Sequence, residues 1–441
     1  MLILPEWLVT SATETPHHRW GVRVDGDTVT AVGPHAELRA QAAPGESGAA
    51  AEPVIELPDS VVLPGFVNAH VHLYGVLAHG IPVSNPPDGF WSFLADYWWP
   101  KVEDALDHDM IETAADWACV EMLRSGTTSF YDILEAPNAV TDSLAVEAAV
   151  AERRGLRSIL SFEATERAGE EIARAGLAEN VRAIEGSRGL VSAMMCYHTT
   201  FTCSADYITE AFGLAADHDV ACHAHCNEGV HEPQWCLDNL GERTLEYYQR
   251  LGVTSDRFLA SQCVQLSDRE LDILASSGMR VTHMPLANCE VGGGIARIPE
   301  MLERGVTVGL GSDGYINDFY EVMRGAFLLH KARRLDPGTM PAHTVLEMAT
   351  EGGAKALGLA NVGRLQAGWQ ADLQVVDADL PTPIAEHNLY DQLVLWRNHT
   401  HVSDVMVAGH WRVRNREILG ADLAQMRAAV HVQAKRLWAN A

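Results

Sequence analysis

The run VVLPGFVNAHVHL (residues 61–73) is apolar almost throughout, is broken only by Pro64-Gly65, and closes on His70 and His72. A strand covered on one face alternates apolar and polar residues. A strand covered on both faces, as in a parallel sheet flanked by helices, reads as a near-continuous apolar run. The chain then repeats this pattern. Apolar runs at 65–72, 127–133, 157–163, 190–199, 220–226, 258–264, 280–286 and 306–314 alternate with helical stretches such as MIETAADWACVEMLRSG (110–126). Eight strand–helix units over residues 62–365 predict an α/β fold, a (β/α)8 TIM-like barrel.

Outside that span the texture changes. WGVRVDGDTVTAVG (20–33) alternates around Asp25-Gly26, a dipeptide suited to a tight hairpin turn. GRLQAGWQADLQVVD (363–377) and VSDVMVAGHWRVRNREIL (402–419) are again hairpin-like, the second turning at Ala408-Gly409. The simplest arrangement pairs both ends, residues 1–61 and 366–441, into one small β-sandwich domain beside the barrel. AQAAPGESGAAAEP (40–53) reads as a low-complexity surface loop.

The net charge of −27 argues against a nucleic acid or an anionic membrane as partner, since both need a basic surface. No apolar stretch reaches the roughly 20 residues that span a bilayer, and the start MLILPEWLVTSATE lacks the marks of a signal peptide. Eight cysteines without a CxxC pair suit a reducing, cytoplasmic setting. A small-molecule substrate is the expected partner.

Residues with metal-binding or proton-carrying chemistry sit where the apolar runs end. A barrel brings such ends to one face. His70 and His72, two apart on a strand, share a face, and one divalent metal would satisfy two of their four ring nitrogens. Two core histidines bonded to backbone are the plainer alternative. CHAHCNEGV (222–230) offers His223 and His225, of which one suffices as a ligand, and His225 stands three residues before Glu228. Glu228 would carry a proton in the same site; otherwise it is a carboxylate at a helix start. Asp313 in GLGSDGYINDF (309–319) can bind metal and accept a proton from water, or serve as turn chemistry. In CYHTTFTCS (196–204) the strand run ends in His198, which reads as a substrate contact.

Together PGFVNAHVH, HCNEGV, HMPLANCEVGGGIARIPEMLERGVTVGLGSDG and the tail VGRLQAGWQADLQVVDADL resemble the amidohydrolase superfamily, in its deaminase and triazine-hydrolase branch, over nearly the whole chain. AHVHLYG, HTTFT and HCNEGV look most like the SsnA-type aminohydrolases. The chain is similar at greater distance to guanine, 8-oxoguanine and methylthioadenosine/S-adenosylhomocysteine deaminases. The resemblance implies one divalent metal ion, zinc first, with iron, manganese or cobalt as alternatives. It implies His70, His72, His225 and Asp313 as ligands, Glu228 as the proton carrier to the leaving nitrogen, His198 against the substrate, and a homodimer or larger homo-oligomer.

One departure stands out. Where the branch usually ends its sixth strand AHCVH, this chain has SQCVQ, with Gln262 and Gln265 in place of histidines. An amide can donate a hydrogen bond but cannot carry a proton. With the other residues intact, Gln262 is expected to work as a neutral donor in a functioning aminohydrolase that deaminates a purine, pterin or triazine-like ring. Hydrolysis of an amide, urea or (thio)carbamate bond is the alternative, and a non-catalytic metal-binding protein the third. The segment YGVLAHGIPVSNPPDGFWSFLADYWWPKVED (74–104) carries Trp91, Trp98 and Trp99 and reads as a lid with Trp91 and Trp98 on the substrate, or as a subunit contact.

Overall fold

The structure is a computed structural model that describes residues 1–41, 52–83 and 87–439. The core of the predicted loop, 42–51, lies outside the described residues. The first five strands are β1 (Leu2–Leu8), β2 (His17–His18), β3 (Trp20–Asp25), β4 (Thr28–Pro34) and β5 (Val54–Pro64). Nine short strands follow, β6 (Phe66–Val71), β7 (Thr127–Leu134), β8 (Arg157–Phe162), β9 (Val191–Ala193), β10 (Met195–Cys196), β11 (Cys222–Cys226), β12 (Phe258–Gln262), β13 (Arg280–His283) and β14 (Val308–Leu310). The last four are β15 (Leu373–Asp377), β16 (Val402–Val407), β17 (His410–Arg414) and β18 (Glu417–Ile418).

The middle strands pair in parallel, in the orders β6-β7-β8-β9 and β10-β11-β12-β13-β14, with helices between them. All residues of β6, β7, β11 and β12 are buried, the reason their sequences show no alternation. The fourth apolar run, expected as one strand, divides at Met194 into β9 and β10, which belong to different sheets. Isolated parallel bridges join the sheets at both seams, Ala164 with Tyr197 and Val71 with Asp313. At the second seam Ser312 N donates to Asn68 Oδ1 at 3.0 Å and Asn68 Nδ2 to Ser312 Oγ at 2.7 Å. Val67, Tyr131, Ile159, Cys196 and Leu259, drawn from both sheets, pack in one buried cluster.

Both chain ends enter one nine-stranded sheet, β18-β17-β16-β15-β5-β1-β3-β4, with β2 on the side of β1. The two chain ends thus share a single hydrogen-bonded path. The cause is the 11-residue β5, which pairs β1 in parallel and β15 antiparallel and so fuses the two ends. The second hairpin turns at Ala408-Gly409 as read, both residues having positive φ. In the first, Asp25 pairs with Thr28, so the turn is Gly26-Asp27, one residue beyond the expected dipeptide. Gly65 joins β5 to β6. A Cβ there would lie 2.2 Å from the Thr128 side chain, so this close passage admits only glycine.

Candidate active site

His70 near the end of β6 and His72 just beyond it have ring centroids 5.1 Å apart, and His70 lies 5.0 Å from the ring of His225. One nitrogen from each of His70, His72 and His225 falls within 4.8 Å of the others. His70 is fully buried with neither ring nitrogen hydrogen-bonded, a costly arrangement unless another group uses the lone pair. Burial and the adjacent imidazoles hold its pKa well below the ordinary range, so it is neutral. His72 Nδ1 donates to Ile133 O at 2.6 Å, leaving Nε2 with the lone pair. Asp313 completes the group, Oδ2 3.8 Å from His70 Nε2 and Oδ1 3.7 Å from His72 Nε2. Three imidazoles and a carboxylate, with an orphaned ring among them, fit a divalent cation.

Sequence reasoning did not single out Glu163, which follows β8. This buried carboxylate lies 3.0 Å from His225 Nδ1 and 3.4 Å from His198 Nε2. A carboxylate on Nδ1 orients the His225 ring so that Nε2 faces the other imidazoles, where a bound ion would take the place of the Nε2 proton. Burial opposes charge on both groups, but their mutual attraction prevails: His225 is pushed up to about 9 and Glu163 is held below the usual carboxylate range. The signal was present, since RSILSFE (157–163) is a strand run that ends in a carboxylate. His223 is not in the group: it is buried with Nδ1 3.2 Å from Cys196 Sγ. His283, at the end of β13, pairs instead with His330, Nε2 to Nε2 at 3.1 Å.

Asp313 and Gln262 have left-handed backbones, φ 60° and 68°, as does Asn227 (φ 53°) beside Glu228. Such conformations in non-glycine residues cluster where a side chain must be aimed. Gln262 Nε2 donates to Asp313 Oδ2 at 2.8 Å, and its Oε1 accepts from Asn288 Nδ2. The chemistry dictates this polarity. A carboxylate only accepts, so the amide turns its NH2 to Asp313 and its oxygen to the fully buried Asn288. Asn288 was not singled out, because an asparagine inside a helix (Pro285–Glu290) carries no distinctive signal. Gln265 takes no part: its Nε2 donates to Gly293 O at 2.6 Å and braces a loop.

Glu228 stands three residues before the helix His231–Leu240, so it is no helix-start carboxylate. Burial, with Asp313 next, pushes it up to about 8. His198, 5% exposed, is no solvated loop residue; its Nδ1 meets Thr202 Oγ1 at 2.8 Å. Glu228, His198, Gln262, Asp313, His72 and His225 all line one cavity of about 530 Å³. Trp98 lines it too, with Phe90, Leu94 and Tyr97 from the same segment. Trp91 does not. It lies one residue off the Phe90–Leu94–Trp98 face, is 43% exposed, and stacks on His231 at 4.1 Å. Trp91, expected against the substrate, therefore stands outside the lining of this cavity.

An amidohydrolase family model matches residues 61–412. A 5-methylthioadenosine/S-adenosylhomocysteine deaminase of Pelotomaculum thermopropionicum is 32% identical over 424 residues, 94% of this chain and 93% of the relative. A 5'-deoxyadenosine deaminase of Methanopyrus kandleri is 31% identical over 84% of this chain and 85% of its own. Among solved structures, an adenosine deaminase from Xanthomonas campestris with bound zinc aligns at TM-score 0.88 and 26% identity, over 99% and 98% of the chains. An atrazine chlorohydrolase from Arthrobacter aurescens with zinc shares the fold at TM-score 0.84 and 21% identity, over 98% and 99%.

Proposed function

The chain belongs to the amidohydrolase family, and from that premise we propose that it is a metal-dependent aminohydrolase that deaminates a nitrogen heterocycle of the adenine-nucleoside class. The observation that carries this reading is the buried, unpartnered His70 held against His72, His225 and Asp313 on the wall of a cavity that also holds Glu228. The bridges at both seams support a single closed (β/α)8 barrel over residues 62–365, with 1–61 and 366–441 as its companion β domain. Resemblance to the family supports assembly as a homodimer or larger, and the cysteine usage supports a cytoplasmic setting.

In this reading His70, His72, His225 and Asp313 hold one divalent ion. Zinc is favoured by the solved adenosine deaminase, and the same donors suit iron, manganese or cobalt. When bound, the ion supplies the Lewis acidity that makes water a nucleophile near neutral pH. Asp313, steadied by Gln262, is placed to take the proton of the attacking water. Glu228, pushed up to about 8, keeps a proton at neutral pH and is placed to pass it to the departing nitrogen. Gln262 and His198 offer donors to the tetrahedral carbon's oxygen and ring, and Trp98 covers the ring face. A ring C–NH2 and water become a ring carbonyl and ammonia.

The test is ammonia release from adenine nucleosides by protein of known metal content. Near one ion per chain and steady release are expected, with Glu228→Gln reducing release by about a hundredfold or more at unchanged metal content. Release of equal size from Glu228→Gln would remove Glu228 from the reaction, and turnover only of ureas or carbamates would replace the ring-amine reading.

A further inference from the structure

Six carboxyl groups line the cavity: Glu103, Glu163, Glu228, Glu232, Glu290 and Asp313. Among the described residues no lysine or arginine lines it, and 42–51, 84–86 and 440–441 contain neither type. Most of the six are accounted for. Glu232 accepts from Thr200 and Asn227, Glu103 from Tyr74 at 2.9 Å, and the other three besides Glu290 belong to the reacting centre. The guanidinium behind the wall, Arg167, is already engaged. It meets Asp104 at 2.9 Å, Glu103 at 3.1 Å and Glu135, and lies over the Trp99 ring at 4.8 Å.

Glu290 differs from the rest. It is exposed on the cavity rim and makes no hydrogen bond or ion pair among the described residues. It also occupies the last turn of the helix Pro285–Glu290, where the helix dipole disfavours a negative charge. The fold gains nothing from a carboxylate there. His79, also on the rim, spends Nε2 on Gly314 O at 3.1 Å. A divalent ion held by the histidines would offset two charges at the inner end and leave the rim acidic.

We propose that this cavity selects substrates whose substituent beyond the ring is uncharged or cationic and rich in donors, such as a hydroxyl-bearing sugar, and rejects phosphates and free carboxylates, with Glu290 as the specificity-determining residue. The inference rests on the deaminase reading and narrows it. An unpaired carboxylate at the mouth, with no lysine or arginine in the lining, disfavours an anionic group, and it accepts readily from hydroxyl or ammonium donors.

The experiment compares 5'-methylthioadenosine, S-adenosylhomocysteine and adenosine 5'-monophosphate with the metal-loaded protein, by ammonia release and by thermal shift at matched concentration. The neutral nucleoside should exceed the monophosphate by about a hundredfold in kcat/KM, with S-adenosylhomocysteine between them. Glu290→Lys should raise the monophosphate's kcat/KM by about tenfold and lower its ratio to the neutral probe. Equal turnover of neutral and anionic probes, or a ratio unmoved in folded Glu290→Lys, overturns the proposal. Ammonia from none of the three would instead sink the deaminase reading. Thermal shift then decides the charge rule: stabilisation by the neutral probe alone supports it, and equal shifts or none overturn it.

Discussion

At the scale of single residues, the glutamine that replaces a family histidine is held in one orientation by two neighbours with opposite needs. Asp313 demands a donor and Asn288 supplies one, so the amide dipole of Gln262 is fixed without any charge. Asn288→Asp places a second acceptor against Gln262 Oε1 and should turn the amide, setting its oxygen against Asp313. Lost donation of this kind costs about a hundredfold in kcat, with native far-ultraviolet circular dichroism retained. Rates unchanged in that variant would show that Gln262 does not act through Asp313. Glu163→Gln, which keeps the shape but removes the charge behind His225, should weaken metal retention by about tenfold to a hundredfold in competition with a chelator. Retention equal to that of the unaltered protein would deny Glu163 its orienting role.

At the scale of elements, the segment from Phe90 to Lys101 is docked rather than loose. Phe90 packs on Gly229, where an added Cβ would lie 2.6 Å from the ring, while Trp91 stacks on His231 and Trp99 approaches His198 at 5.8 Å. The segment therefore rests on the same loop that carries Glu228, and on His198. Gly229→Ala should lift Phe90 and lower kcat/KM for a good substrate by about tenfold or more, with faster proteolytic cleavage near residue 90. An unaltered rate would mean that the Phe90 contact is not what closes the cavity. The segment is helical over Phe90–Lys101, and which aromatic faces inward depends on where that helix lands.

At the scale of the whole molecule, two buried features tie stability to solution conditions. His330, fully buried against His283, is pushed down by burial to about 4, and His283 is lowered further. Between pH 6.5 and 4 the unfolded chain binds protons that the folded one refuses. Stability is thus fully present above pH 6.5 and falls as pH drops toward 4, by about 3 kcal/mol for His330 alone. Urea midpoints measured across that window should show the slope, and His330→Leu should flatten it. An identical slope in both proteins would place the acid sensitivity elsewhere. Removing the ion should also lower stability, by about 2.7 kcal/mol if it had been at a hundredfold its Kd. Overlaid thermal melts with and without a strong chelator would show that the histidine cluster holds none.

The α/β class, the strand positions and the polar residues at strand ends were legible in the sequence, because burial on both faces forces continuous apolar runs and leaves only their ends free for chemistry. The hairpin turn at Ala408-Gly409 was legible for the local reason that it needs positive φ. Other features were settled by distance relations that no local pattern encodes. The division of the fourth run between two sheets, the fusion of both ends through β5, the outward place of Trp91 and the pairing of His283 with His330 each depend on what meets between separate segments of the chain. So do Glu163 and Asn288, whose residue types are commonplace and whose roles exist only because a second side chain, distant in the chain, presents an atom of the complementary kind.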